Sequence, residues 1–177
     1  MKIISADERL AEKRGAKILI LGPVAVGKTS LVRRFIEGIY SEDYHTSIGV
    51  KVDKKPVREA GQEVKLVLWD IFGEDRFQKV QPSYWRGMFG YLLVVDGTRR
   101  NTLDEALGLH QRVLDTGIKV PAILLVNKAD LANQWEIGDD RLTQLAQSGW
   151  EIMRTSAKTG ENVDAAFSRL TLKMLGK

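Results

Sequence analysis

The most constraining stretch of this chain is Gly22-Pro23-Val24-Ala25-Val26-Gly27-Lys28-Thr29, which fits G-x-x-x-x-G-K-[ST]. It follows the apolar run Ile18–Leu21 directly and precedes Leu31, Val32, Phe35 and Ile36, whose spacing is helical and closes on Gly38. A glycine-rich turn between a buried strand and a helix aims backbone N–H groups and the positive end of the helix dipole at one point, which suits a phosphate. In such a loop Lys28 reaches the β- and γ-phosphates and the Thr29 hydroxyl binds Mg²⁺. The run from Gly22 through Val24, Ala25, Val26, Gly27, Lys28 and Thr29 to Ser30 is therefore the candidate phosphate site.

The rest of the chain reads as one α/β domain. Apolar runs at Val50–Val57, Val64–Trp69, Tyr91–Val95, Ala122–Val126 and Trp150–Arg154 alternate with amphipathic stretches. The first two are joined by Glu59-Ala60-Gly61-Gln62 as an antiparallel hairpin, and the buried runs around them predict a parallel sheet. Thr102-Leu103-Asp104-Glu105 reads as a capping box opening a helix with Leu103, Leu107 and Leu114 inward. Asp140–Gln147 reads as a helix, and Val163, Ala166, Phe167, Leu170 and Met174 mark a closing one. A helix is also expected after Glu74. Residues 1–15 form an N-terminal extension and 16–177 the domain.

Composition removes several classes. With 177 residues a single domain can bury a sizeable core. The chain has no Cys, which excludes disulfides, thiolate metal sites, thiol nucleophiles and a direct lipid anchor through cysteine. No apolar run approaches the roughly 18 residues of a membrane helix, and the polar start at Ala6–Gly15 is no signal peptide, so a cytoplasmic monomer is expected. The net charge is +4, but the basic residues are scattered; Lys51, Lys54, Lys55 and Arg58 read as a solvated strand face, and no nucleic-acid partner is expected.

The base is decided away from the phosphate loop. Asn127-Lys128-Ala129-Asp130 follows the fifth strand, and an Asp there accepts from N1–H and the 2-amino group of guanine. Adenine lacks both donors and would strand the carboxylate at roughly 1–3 kcal/mol. Ser156-Ala157-Lys158 begins 29 residues after Asn127 and follows the sixth strand, where the Ala157 N–H can donate to the guanine 6-oxo group. A nucleotide kinase or ATPase would share the phosphate loop but not Asp130.

These motifs together resemble a Ras-superfamily small GTPase of the Rab-like branch. Trp69-Asp70-Ile71-Phe72-Gly73-Glu74-Asp75-Arg76-Phe77 is similar to W-D-T-A-G-Q-E-R-F, and Ser83-Tyr84-Trp85-Arg86-Gly87-Met88 to S-Y-Y-R-G-A. The resemblance implies the three-layer P-loop NTPase fold: a six-stranded, mostly parallel sheet with one antiparallel strand and about five flanking helices. It implies GTP and GDP as ligands with Mg²⁺, and a GTPase switch signalling through effector and regulator proteins at residues 41–50 and 71–86. Asp70 would hold Mg²⁺ through a water, and the Gly73 N–H would sense the γ-phosphate. Tyr40 would pack on the guanine edge or stand as a surface tyrosine. Ser47, by spacing from Thr29, or its neighbour Thr46 would be the first-switch ligand, while His45 reads as an exposed loop residue and His110 as a core-edge one.

Two departures fall where hydrolysis is carried out. Val24 stands where the family has Gly and projects a β-branched side chain toward the γ-phosphate. Glu74 replaces the water-positioning Gln and cannot donate a hydrogen bond to the transferring group when ionised. Slow hydrolysis follows from both, with Arg76 a potential compensating cation; the alternative is a GTP-binding scaffold that does not hydrolyse.

Overall fold

The computed structural model describes residues 15–41, 49–72 and 82–177. Its strands are β1 (Ala16–Leu21), β2 (Gly49–Glu59), β3 (Gln62–Phe72), β4 (Gly90–Asp96), β5 (Ala122–Asn127) and β6 (Ile152–Arg154). The helices are α1 (Lys28–Glu37), the short α2 (Pro82–Trp85), α3 (Asn101–Asp115), α4 (Asp139–Gln147) and α5 (Val163–Met174), with a 3-10 segment at Ala129–Gln134. The sheet order is β2-β3-β1-β4-β5-β6. Among the described strands only the β2–β3 hairpin is antiparallel; its register runs from Gly49 opposite Phe72 to Glu59 opposite Gln62.

The inner strands are buried on both faces, which is why they read as continuous apolar runs. One face, with Ile18, Ile20, Leu92, Val94, Ile123 and Leu125, packs on Leu31, Val32 and Phe35 of α1 and on Phe167 and Leu170 of α5. Phe35 and Phe167 stack with centroids 3.9 Å apart. The other face, with Leu19, Leu21, Leu93, Val95, Leu124 and Val126, packs on α3 and α4. Chain order reverses beside β1, where β3 lies on one side and β4 on the other, so the carboxyl ends of β1 and β4 open a crevice. The glycine-rich turn leaves β1 at that crevice.

Four expectations change. Thr102 is not the N-cap of α3; it lies within the first turn, fully buried. Its hydroxyl donates to the Arg99 carbonyl at 2.7 Å and accepts from the Asp96 N–H at 3.1 Å, so it secures the exit of β4. The inward stripe of α3 is Leu103, Ala106, Leu109 and Val113; Leu107 is half-buried and Leu114 is 45% exposed. Trp150 does not begin β6 but packs against His110 with the rings tilted by 60° and centroids 4.5 Å apart, and His110 Nδ1 meets the Tyr91 hydroxyl at 2.5 Å, a core-edge position. In the basic group Lys51, Lys54 and Arg58 are exposed, whereas Lys55 folds over the Phe35 ring and donates to the Phe35 carbonyl. The helix expected after Glu74 and the extension lie outside the described residues, apart from Gly15.

Candidate functional site

The turn after β1 needs backbone that L-residues rarely adopt. Gly27, at φ 99°, caps α1, and Ala25 takes φ 56° despite its Cβ. A Cβ on Gly22 would meet the Val94 carbonyl oxygen at 2.2 Å and one on Gly27 the Asn127 amide nitrogen at 2.3 Å. Both glycines are required by close approach as well as by angle. Lys28, the first residue of α1, folds back over the turn and donates to the carbonyls of Gly22 at 2.7 Å and Pro23 at 2.6 Å. Burial pushes its pKa down to about 8, with Arg99 acting in the same direction and Asp70 against it.

Across the crevice, β3 brings Asp70 opposite Ile20 of β1. Its side chain is fully buried, and neither carboxylate oxygen has a hydrogen-bond partner among the described residues. Burial pushes its pKa up to about 6; the Thr29 hydroxyl beside it, Lys28 and Lys51 pull the other way, without completing a hydrogen bond that satisfies the group. A buried, unsatisfied carboxylate next to a Thr hydroxyl is a set of hard oxygen donors that fits Mg²⁺ held through a water.

The second cluster stands at the ends of β5 and β6. Asn127 is buried; its Nδ2 donates to the Val26 carbonyl at 2.9 Å and its Oδ1 accepts from Thr155 at 3.3 Å. Lys128 turns through φ 68°, which swings the following 3-10 segment so that Asp130 accepts from the Ser156 hydroxyl at 2.6 Å. Ser156 in turn accepts from the Thr159 N–H, fixing the loop that carries buried Ala157. Arg34 of α1 reaches the same loop, donating to the carbonyls of Ala157 at 2.8 Å and Lys158, and also to that of Gly38 at the end of its own helix at 3.0 Å. Tyr40, beyond α1, is 38% exposed.

The structure thus gathers Gly22, Val24, Ala25, Val26, Gly27, Lys28, Thr29, Ser30 and Asp70 at one end of the crevice, and Asn127, Lys128, Asp130, Ser156, Ala157 and Lys158 at the other. Ser47, Gly73 and Glu74 lie outside the described residues. Three residues that the sequence reading did not single out also belong to the site: Arg34, and the pair Asp96 and Arg99 at the end of β4. An Asp ending a continuous apolar strand was the one available signal for the last two.

A phosphate-type loop joined through Asn127 to an Asp-bearing base loop defines the P-loop guanine-nucleotide-binding class. A family model described as the Ras family matches residues 17–176. Ras-related protein Rab-4B of Rattus norvegicus is 37% identical over 164 residues, which span 91% of this chain and 76% of that protein. Ras-related protein Rab-4A of Bos taurus is 37% identical, with 91% and 75% covered, and Ras-related protein Rab-13 of Canis lupus familiaris is 32% identical over 163 residues, with 91% and 80% covered. The chain belongs to the Ras family, whose Rab-like members are GTPases that bind GTP and GDP with Mg²⁺. No helix among the described residues is long and apolar enough to cross a membrane.

Proposed function

We propose that this chain is a GTP/GDP switch with slow intrinsic hydrolysis, GTP + water → GDP + phosphate, read out by effector and regulator proteins at residues 41–50 and 71–86. The observation that carries the reading is Asn127, whose amide joins the base loop to the Val26 carbonyl of the phosphate loop at 2.9 Å. In this reading Asp130 accepts hydrogen bonds from the guanine N1–H and 2-amino group, the Ala157 N–H donates to the 6-oxo group, and Tyr40 closes the guanine edge. The backbone N–H groups of the loop through Ser30 and the Lys28 ammonium hold the phosphates. Thr29 and Ser47 would hold Mg²⁺ directly and Asp70 through a water. Bound there, the ion would supply positive charge against the negative charge that develops on the transferring phosphate.

Catalysis is where this chain is weak. The Gly73 N–H and Lys28 would face the transferring group, and Glu74 would address the water, accepting from it without donating onward. In well-studied members of the family an arginine finger is worth roughly 10³–10⁵ in rate. That is about 4–7 kcal/mol of barrier at 1.36 kcal/mol per decade. The Val24 side chain occupies the approach such a group needs. Binding is expected to survive, since the contacts to base and Mg²⁺ lie elsewhere.

Single-turnover phosphate release from protein preloaded with GTP and Mg²⁺ tests the reading. Retained GTP with almost no phosphate is expected, and Val24→Gly with Glu74→Gln should raise the rate by about tenfold or more. Prompt release by the unaltered protein would refute the brake. A second reading, a scaffold that never hydrolyses, is favoured by the same two residues; a partner bound equally by the GDP and GTP forms would select it.

A further inference from the structure

Asp96 ends β4 fully buried, and its carboxylate is crowded with donors. One oxygen accepts from the Thr98 N–H at 2.9 Å and hydroxyl at 2.7 Å; the other accepts from Arg99 Nε at 3.0 Å and Lys128 Nζ at 2.6 Å. Burial works against its ionisation, but the bonds from Lys128, Thr98 and Arg99 outweigh it and hold the carboxyl below its ordinary range. Lys128 belongs to the base loop. Arg99 extends the chain in the opposite direction, because its Nη2 donates to the Val24 carbonyl at 2.7 Å.

That last bond falls at a critical point of the phosphate loop. A loop that turns its N–H groups inward must turn carbonyls outward, and an outward carbonyl left unpaired is free to flip the peptide. Arg99 occupies the carbonyl of Val24 just before the left-handed Ala25, where the turn is tightest. Only a planar guanidinium can hold a carboxylate by one edge and a carbonyl by another at fixed angle; an ammonium presents a single point. Arg99 also lies near enough to Lys28 for its charge to act on that amine.

We infer that Arg99 is a positioning residue that ties the outer turn of the phosphate loop to the base loop through Asp96 and Lys128, and thereby sets how long the polyphosphate end of a nucleotide is held. The inference rests on the guanine-nucleotide reading above. It makes the residence time depend on a side chain outside the motifs that touch base, phosphate or Mg²⁺. The fold does not depend on Arg99: its side chain is 39% exposed, and Asp96 keeps Lys128 and Thr98 when the guanidinium is removed.

The test compares wild type, Arg99→Ala and Arg99→Lys, each loaded with a fluorescent GDP in Mg²⁺ and chased with excess GDP, alongside competition affinities for GDP and GMP. GMP lacks the β-phosphate that the loop cradles. Arg99→Ala should release GDP about tenfold faster or more and lose affinity for GDP by a similar factor, with GMP affinity within about twofold of wild type. Arg99→Lys should recover part of the loss, since it can keep one of the two bonds. Release from Arg99→Ala within about twofold of wild type overturns the inference, and so do equal losses for GDP and GMP, the mark of general loosening. Wild-type protein that fails to retain GDP at all overturns the guanine reading itself, and this inference with it.

Discussion

Replacing Asp70 by Asn should stabilise the metal-free protein while weakening its hold on Mg²⁺. The carboxylate is fully buried, neither oxygen has a partner among the described residues, and burial lifts its pKa from an ordinary 3.8 to about 6. At 1.36 kcal/mol per pKa unit that rise is a cost of about 3 kcal/mol to the ionised form. Asn keeps the shape and removes the charge, but it also removes the attraction that Asp70 exerts on buried Lys28, so the expected gain is about 1–3 kcal/mol. The sign follows from the raised folded-state pKa: the stability of a protonated Asp70 is fully present below about pH 3.8 and is lost as pH rises through about 6. Urea unfolding of nucleotide-free protein in EDTA, followed by tryptophan fluorescence, reads this directly. The two proteins should unfold alike near pH 4 and separate as the pH approaches 7, with the Asn variant the more stable. Excess Mg²⁺ and GDP should reverse the order, because only wild type gains the full binding linkage. An Asn variant less stable than wild type in EDTA at neutral pH, or a difference that ignores pH, would refute the reasoning.

The two other anchors of the site have distinct signatures. Arg34→Ala removes donors from the carbonyls of Ala157, Lys158 and Gly38, loosening the loop assigned to the base, so it should weaken GDP and GMP alike by about tenfold in the competition assay. Loss of GDP affinity alone would count against that assignment. Gly27→Ala forces a Cβ into the Asn127 amide at φ 99° and should cost about 2–4 kcal/mol in urea unfolding together with nucleotide binding. An Ala variant that retains GDP would show that the Asn127–Val26 bridge is dispensable.

The legible parts of this molecule were those whose chemistry is local. Gly22 to Thr29, Asn127 to Asp130 and Ser156 to Lys158 each carry their signal within one strand–loop step, and the structure puts all three at carboxyl ends of the sheet. The buried strands were legible because being covered on both faces suppresses alternation. What failed was the assignment of side chains whose partner lies elsewhere. Thr102 has the sequence of an N-cap, yet its hydroxyl is bonded across six residues to the backbone of Asp96. Leu114 has helical spacing, but α3 is turned so that Val113 fills the core and Leu114 faces water. Arg34 reads as an ordinary exposed helix residue until β6 brings the carbonyls of Ala157 and Lys158 beside it, 123 and 124 residues away.

The same distinction separates the two levers acting on Val24. Its carbonyl is held by Arg99 on the outside of the loop, whereas its side chain is the group proposed to obstruct the phosphate end. A backbone fixed from outside holds its Cβ in one direction, so the proposed obstruction would belong to the clamped loop and would persist while Arg99 is in place. Val24→Gly removes the side chain and leaves the carbonyl bond intact; Arg99→Ala does the reverse. The first change should therefore alter phosphate release at nearly constant GDP dissociation, and the second should alter GDP dissociation. On the proposed reading, how fast the switch turns over and how long it holds its nucleotide are set by opposite sides of a single residue.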